Sequence, residues 1–147
     1  LGSSPGDVSG TYTVDGDGVA IVYVDGPLNF DDTFRSSDDN RILFVVNDSV
    51  SIEASIGIDV PTTSTQPHIE AGIIAKGSID FETTGSEDDL TIIVESPLVA
   101  KDGSVSFSRD RGLENGYPAV VVKHNPTYMS KASDSSVSLI DILWTLE

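Results

Sequence analysis

Apolar and polar residues alternate along several short stretches of the chain, which is the pattern of β-strands with one face in a core. The clearest stretch is 50–59 (VSIEASIGID), where every second residue from Val50 to Ile58 is apolar. The stretches 19–24 (VAIVYV) and 41–47 (RILFVVN) are almost wholly apolar, as in strands that are covered on both faces. The pattern therefore predicts an all-β domain of nine or ten short strands.

Glycine, proline, aspartate and asparagine separate these stretches, and such residues favour turns. The strands are predicted at 8–14, 19–24, 41–47, 50–58, 68–75, 78–83, 90–95, 104–108, 117–124 and 136–146. Asp15-Gly16-Asp17-Gly18 separates the first two and predicts a β-hairpin. We expect an irregular loop at 28–40 and a long crossing between sheets at 60–67.

Strand number and turn spacing together predict a two-sheet antiparallel β-sandwich. The long polar connection in mid-chain and the apolar final strand favour a jelly-roll-like topology over an immunoglobulin-like one. Residues 1–7 are interpreted as a flexible lead or linker and residues 8–147 as a single domain. The pattern shows us no internal repeat.

The charge is strongly negative, with 24 acidic against 8 basic residues and a formal net charge of −16. Such a field repels nucleic-acid phosphates, which argues against nucleic acid as a partner. No apolar run reaches the roughly 18 residues of a membrane span, so direct membrane insertion is not expected. Abundant Asp beside few Lys favours adaptation to high salt, with an ordinary acidic extracellular domain as the alternative.

Sequence motifs for catalysis are lacking. The absence of cysteine excludes disulfides, thiol catalysis and cysteine zinc sites. His68 and His124 stand apart beside prolines, and no Gly-x-Ser-x-Gly motif occurs. We therefore expect neither an enzyme nor an obligatory cofactor.

Two acidic segments are candidate cation sites, with calcium as the ion that carboxylate oxygens in loops would hold. Asp15 and Asp17 resemble the start of a calcium loop, but Gly26 occupies the position of its last ligand. The second segment contributes Asp31, Asp32, Asp38 and Asp39. The alternatives are a plain hairpin turn for the first segment and solvated charge for the second.

Four further residues are candidate contacts for a binding partner. Tyr117 and Tyr128 are aromatic residues that could stack on carbohydrate. Arg109 and Arg111 could pair with acidic patches on a neighbouring subunit, or could only balance charge locally. Trp144, by contrast, alternates with apolar neighbours and is predicted in the core.

These observations lead to one functional hypothesis and two alternatives. The leading hypothesis is a non-enzymatic structural or adhesive subunit of an extracellular, cell-surface or virion assembly such as a capsid, tail, fibre or surface filament. Its partners would be other protein subunits in a homo-oligomer or larger assembly. The alternatives are a secreted carbohydrate- or ligand-binding module, assisted by calcium, and a small hydrolase using paired carboxylates.

Overall fold

The chain forms a β-solenoid, in which each strand pairs in parallel with the strand one coil away. A computed structural model describes residues 6–12, 19–36, 41–60, 66–112, 116–126 and 128. In those ranges, no helix is long and apolar enough to cross a membrane.

Eleven strands in the described ranges make three parallel sheets. They are β1 (Gly6–Tyr12), β2 (Val19–Val24), β3 (Leu28–Ser36), β4 (Arg41–Val46), β5 (Val50–Ile52), β6 (Gly72–Ala75), β7 (Ile79–Phe81), β8 (Ile92–Glu95), β9 (Leu98–Ala100), β10 (Val105–Phe107) and β11 (Val120–Lys123). Sheet 1 has the order β1-β3-β5-β7-β10, sheet 2 contains β8 and β11, and sheet 3 has the order β2-β4-β6-β9. Single bridges from Phe34 to Ile69 and from Ile69 to Val94 extend sheet 2 back to β3.

The coils visit the three sheets in a fixed order but differ in length. In sheet 1, Leu28, Val50, Ile79 and Val105 stack in one register row, at spacings of 22, 29 and 26 residues. We number the coils 1 to 5, starting at β1, β3, β5, β7 and β10. Because the stacked rows stay in register, the extra residues of the longer coils must leave the coil at a corner.

Inward side chains from all three sheets fill the interior of the solenoid. In coil 2, Phe30, Phe34 and Phe44 come from sheets 1, 2 and 3 and are almost fully buried. Their ring centroids lie 5.2–5.8 Å apart with edge-to-face geometry, which is a favourable arrangement of aromatic quadrupoles. These three rings fix the cross-section of the solenoid at this level.

The turns from sheet 3 to sheet 1 are short and stack as a serine ladder. The Ser78 backbone N–H donates to Ser49 Oγ at 3.2 Å, and the Ser104 N–H donates to Ser78 Oγ at 3.4 Å. A glycine precedes each of the two later serines. A Cβ atom on Gly103 would lie only 2.7 Å from the Ser78 nitrogen and 2.8 Å from the Gly77 carbonyl carbon. The close approach of successive turns therefore requires glycine there.

The predicted antiparallel sandwich, with its jelly-roll topology, is wrong. All three sheets are parallel, and sequential strands lie in different sheets. The alternation of apolar and polar residues is the same in both architectures, because it reports one buried face and not the direction of the neighbouring strand. The all-β class itself was predicted correctly.

Three local predictions also need correction. β1 and β2 do not form a hairpin with each other, since β1 pairs with β3 and β2 pairs with β4. The segment 28–36, expected to be irregular, is the strand β3, whose Asp31 and Asp32 are exposed. The predicted strand 50–58 ends at Ile52. The predicted final strand 136–146 and the core position of Trp144 lie outside the described residues.

We predict that Gly103→Ala lowers the free energy of unfolding by about 1–3 kcal/mol, since the new methyl group would overlap the backbone of the preceding turn. Urea denaturation followed by circular dichroism measures the change. Asp102→Ala is the matched control, because Asp102 is an exposed neighbour on the same turn. Equal denaturation midpoints for the two variants would contradict the close stacking of these turns.

Candidate functional site

The long segments of the solenoid all leave at the corner between sheets 1 and 2. They are 53–68 in coil 3, 82–91 in coil 4 and 108–119 in coil 5. Residues 61–65 and 113–115 of these segments lie outside the described residues. We call the three segments together the loop corner. In a repeat protein, insertions that map to one side often form its binding surface.

Arg109, in coil 5, holds the loops of coils 3 and 4. Its Nη1 donates to the Ile56 carbonyl at 2.6 Å and to the Leu90 carbonyl at 3.0 Å, and its Nη2 donates to the Glu53 carbonyl. The residue is 7% exposed. A planar guanidinium can satisfy several carbonyls at once, and bonds from a charged donor are stronger than neutral ones. One side chain thus fixes three backbone positions.

Arg111 repeats this arrangement two residues later. Its Nη1 donates to the Asp89 carbonyl at 3.0 Å and to the Ile58 carbonyl at 3.3 Å. Its Nη2 donates to the Asp59 carbonyl and reaches Asp59 Oδ1 at 3.3 Å. The Asp59 side chain is 80% exposed, so this ion pair is weak, and the carbonyl bonds are the main restraint.

Asp89 holds the coil 4 loop from inside. Its carboxylate accepts hydrogen bonds from Thr83 Oγ1 at 2.6 Å, from Thr84 N and Oγ1 at 2.7 and 2.6 Å, and from the Asp110 N–H at 2.8 Å. Burial alone would raise the pKa of Asp89, but the bonds from Thr83, Thr84 and Asp110 outweigh burial and hold the pKa well below its usual range. The buried carboxylate is therefore ionised at neutral pH.

His68 joins coils 3 and 4 at the end of the first loop. Its side-chain Nδ1 accepts from the Ile93 backbone N–H at 3.0 Å, and the His68 backbone N–H donates to the Ile93 carbonyl at 2.7 Å. Burial lowers the pKa of His68, and the positive charges of Arg35 and Arg109 lower it further. The neutral imidazole is the form that fits this site.

The outer surface of the loop corner is acidic. The exposed charged residues of its described part are all carboxylates: Asp59, Glu82, Glu87, Asp88 and Asp110. The basic residues there, His68, Arg109 and Arg111, are buried. Loops of this kind are usually mobile, but here buried arginines and a buried aspartate hold them while their acids face outward. In the described part of the chain, no group of three or more histidine or acidic side chains is placed to hold a metal ion.

A cavity of about 350 Å³ lies beside the loop corner on coil 5. It is lined by Phe107, Arg109, Ala119, Val120 and Val122. The ring of Phe107 packs against that of Phe81 with centroids 5.0 Å apart and a tilt of 30°, and Phe107 remains 51% exposed. The cavity therefore combines apolar walls with one cationic side chain.

The structure brings some of the sequence-predicted residues together and separates others. Arg109 and Arg111 lie together in the loop corner, where their Nη donors bond to backbone carbonyls of the same chain; their contact with another subunit stays a prediction. Tyr117 is half-buried at the base of the coil 5 loop. Tyr128 is only 3% exposed and lies under the guanidinium of Arg41, 5.8 Å from its ring centroid.

The predicted calcium ligands fall in two groups. Asp31 and Asp32 lie on β3, and Asp32 Oδ1 accepts from the Thr33 N–H at 2.6 Å. Asp15, Asp17, Asp38 and Asp39 lie outside the described residues. Calcium binding at these positions stays a prediction.

The sequence pattern did not predict the buried, loop-holding role of Asp89 or of its threonine donors. The segment 84–89 (TGSEDD) has the composition of an acidic turn, and nothing in its sequence distinguishes the buried Asp89 from the exposed Asp88. The one available signal was the pair of threonines five and six residues earlier, whose hydroxyl groups readily bond to a nearby carboxylate.

Comparison with known proteins adds no assignment: no family model matches the chain, and neither curated proteins nor solved structures give a match.

We predict that Arg109→Met destabilises the protein by about 2–4 kcal/mol, because three buried or half-buried carbonyls lose a charged donor. Chemical denaturation measures the loss. Lys101→Met is the control, since Lys101 is exposed on the turn from sheet 3 to sheet 1, away from the loop corner. A loss no greater than that of the control would show that Arg109 does not restrain the loops.

We also predict a pH dependence that arises from His68. Because its pKa is lowered in the folded chain, the unfolded chain binds the proton more readily, and stability falls as the pH drops below the ordinary value of 6.5. His68→Asn keeps an acceptor near the Nδ1 position and removes the titration, so its stability should change less between pH 7 and pH 5. His124→Asn, at an exposed histidine, is the control. Identical pH profiles for wild type and His68→Asn would refute this assignment.

Proposed function

We propose that the protein is a non-enzymatic structural or adhesive subunit of an extracellular or virion surface assembly, and that it meets its neighbouring subunit through the loop corner. The observation that carries the proposal is the locking of three adjacent loops by Arg109, Arg111 and Asp89. Together they make one preorganised surface on a rigid support.

Preorganisation favours a binding role for this surface. Association costs free energy whenever loops must be ordered on contact. The loops of coils 3, 4 and 5 are already bonded to one another, for example between the Asp89 N–H and the Asp110 carbonyl at 3.0 Å. The loops are therefore ordered when the chain folds, and little further free energy is needed to order them when a partner binds.

The charge of the surface decides when two copies can approach. Five exposed carboxylates in the described part of the loop corner, together with a net charge of −16, repel a second copy in dilute salt. At about 1 M salt the screening length falls to roughly 3 Å, so this repulsion nearly disappears. Assembly in a saline setting is consistent with the Asp-rich composition.

A ligand-binding module is the second candidate, and the cavity on coil 5 supports it. Its volume of about 350 Å³ is at the small end of the range for small-molecule sites. The exposed ring of Phe107 offers a flat apolar contact of the kind that carbohydrate binding uses. A module of this kind would act as a monomer.

The test is the oligomeric mass by light scattering across a sodium chloride series. We expect wild type to assemble as salt rises, and the triple variant Glu82→Gln, Glu87→Gln, Asp88→Asn to assemble at lower salt, because three like charges leave the contact surface. The matched control, Asp25→Asn, Asp48→Asn, Asp102→Asn, removes the same charge from exposed turns at another corner.

The outcomes separate the candidates. An equal shift in both triple variants would mean that only net charge matters and that the loop corner is not the contact. Monomers at every salt concentration in all three proteins would reject the assembly role and favour the ligand-binding module.

A further inference from the structure

The guanidinium of Arg109 does not use all of its hydrogen-bond donors on the loops that it holds. A guanidinium carries five N–H groups. Nη1 uses two of them on the Ile56 and Leu90 carbonyls, and Nη2 uses one on the Glu53 carbonyl. In the described part of the chain, one N–H group on Nε and one on Nη2 remain without an acceptor. One edge of the guanidinium is therefore free to bind a further acceptor.

The positive charge of Arg109 is not balanced by a contact ion pair. Among the described residues, no carboxylate forms an ion pair with it. The charges of Asp89 and Glu82 favour the cation, but burial outweighs them and lowers the pKa of Arg109. An anion in contact with the free edge would stabilise this charge through short, charge-assisted hydrogen bonds.

Arg111, two residues later, differs from Arg109 in both respects that concern a ligand. Its Nε also lacks an acceptor in the described ranges, but its Nη2 already reaches the carboxylate of Asp59 at 3.3 Å. The described lining of the cavity on coil 5 includes Arg109 and does not include Arg111. Arg109 is thus the arginine of this corner that combines an unused edge with a place in a cavity wall.

The rest of the cavity wall is suited to the apolar body of a ligand. Its other described residues are Phe107, Ala119, Val120 and Val122. Phe107 follows Phe81 in an inward row of sheet 1, and Val122 follows Val94 in an inward row of sheet 2. Phe81 and Val94 are fully buried, whereas Phe107 and Val122 remain 51% and 47% exposed. A small apolar group in the cavity would remove this surface from water.

We propose that the cavity on coil 5 binds a small carboxylate with an apolar body. The two carboxylate oxygens accept from Nε and Nη2 of Arg109, since one edge of a guanidinium matches a carboxylate in two parallel bonds. The apolar body lies against Phe107 and Val122. This ligand class refines the second candidate function, on whose cavity it rests, and does not depend on assembly through the loop corner.

Three probes of similar shape test the requirement for negative charge: phenylacetate, the neutral phenylacetamide and the cationic phenethylamine. In an NMR titration, the ring of a bound probe should shift the methyl signals of Val120 and Val122, which line the cavity. We expect phenylacetate to bind roughly tenfold more tightly than the amide, and the amine not to bind. Equal affinity for acid and amide would overturn the proposal, as would shifts confined to other valines or preferential binding of a neutral sugar such as glucose.

Two pairs of variants locate the site. Val122→Trp should abolish phenylacetate binding by filling the cavity, whereas Val22→Trp, at another exposed valine on sheet 3, should leave it unchanged. Arg109→Lys keeps the charge but loses the two-nitrogen edge, so it should weaken binding about tenfold. Arg111→Lys loosens the same corner and should weaken binding less. Equal losses in the two lysine variants would mean that loop order alone sets the affinity, which would overturn the proposal.

The titration and the salt series fail independently of each other. A protein that assembles as salt rises but does not bind phenylacetate would overturn the carboxylate site and leave the assembly role intact. A protein that binds phenylacetate through Arg109 and stays monomeric at every salt concentration would support the carboxylate site and reject the assembly role.

Discussion

The parallel register between successive coils is the constraint on which the rest of the structure depends. Each coil can satisfy its strand hydrogen bonds only through the coils on either side, so inward residues must repeat at the same place in every coil. The row Phe30, Ile52, Phe81 and Phe107 on sheet 1 is one result. The Ser49, Ser78 and Ser104 turns stack for the same reason, and their hydroxyl groups take part in the ladder.

This register also explains where the loops lie and why they are ordered. The turns from sheet 3 to sheet 1 are stacked so tightly that a single methyl group on Gly103 would overlap the previous turn. Additional residues therefore accumulate at the corner between sheets 1 and 2. A long loop there leaves backbone carbonyls that no strand partner satisfies, and the donors of Arg109 and Arg111 supply the missing bonds.

The sequence predicted the β class and most strand positions, because alternation reports burial directly. It did not reveal the parallel arrangement, since Asp15-Gly16-Asp17-Gly18 has the chemistry of a hairpin whether or not the flanking strands pair with each other. A repeat was present: the segments 49–52 (SVSI), 78–81 (SIDF) and 104–107 (SVSF) share serine followed by alternating apolar residues. Unequal loops between them hid the period, because the spacing varies while the register does not.

The candidate site was predictable only in part, for a related reason. Arg109 and Arg111 are conspicuous in the sequence because basic residues are rare in this chain, but their acceptors are backbone carbonyls in two earlier loops, and those of Ile56 and Asp59 lie more than fifty residues earlier. A carbonyl has no sequence signature, so a long-range bond to one cannot be read from residue types. Asp88 and Asp89 are the same residue type in adjacent positions, and only the fold makes Asp89 buried and Asp88 exposed.

The outer faces of the solenoid differ in polarity. The parallel register constrains the inward residues, which must pack in the core, but it leaves the outward residues free to vary from sheet to sheet. On sheet 1 the outward row is polar and needs only water. On sheet 3 the outward residues Leu43, Val45 and Ile74 are apolar and almost fully buried. The loop corner differs from both faces, because buried side chains fix its loops there while the carboxylates of those loops stay exposed to water.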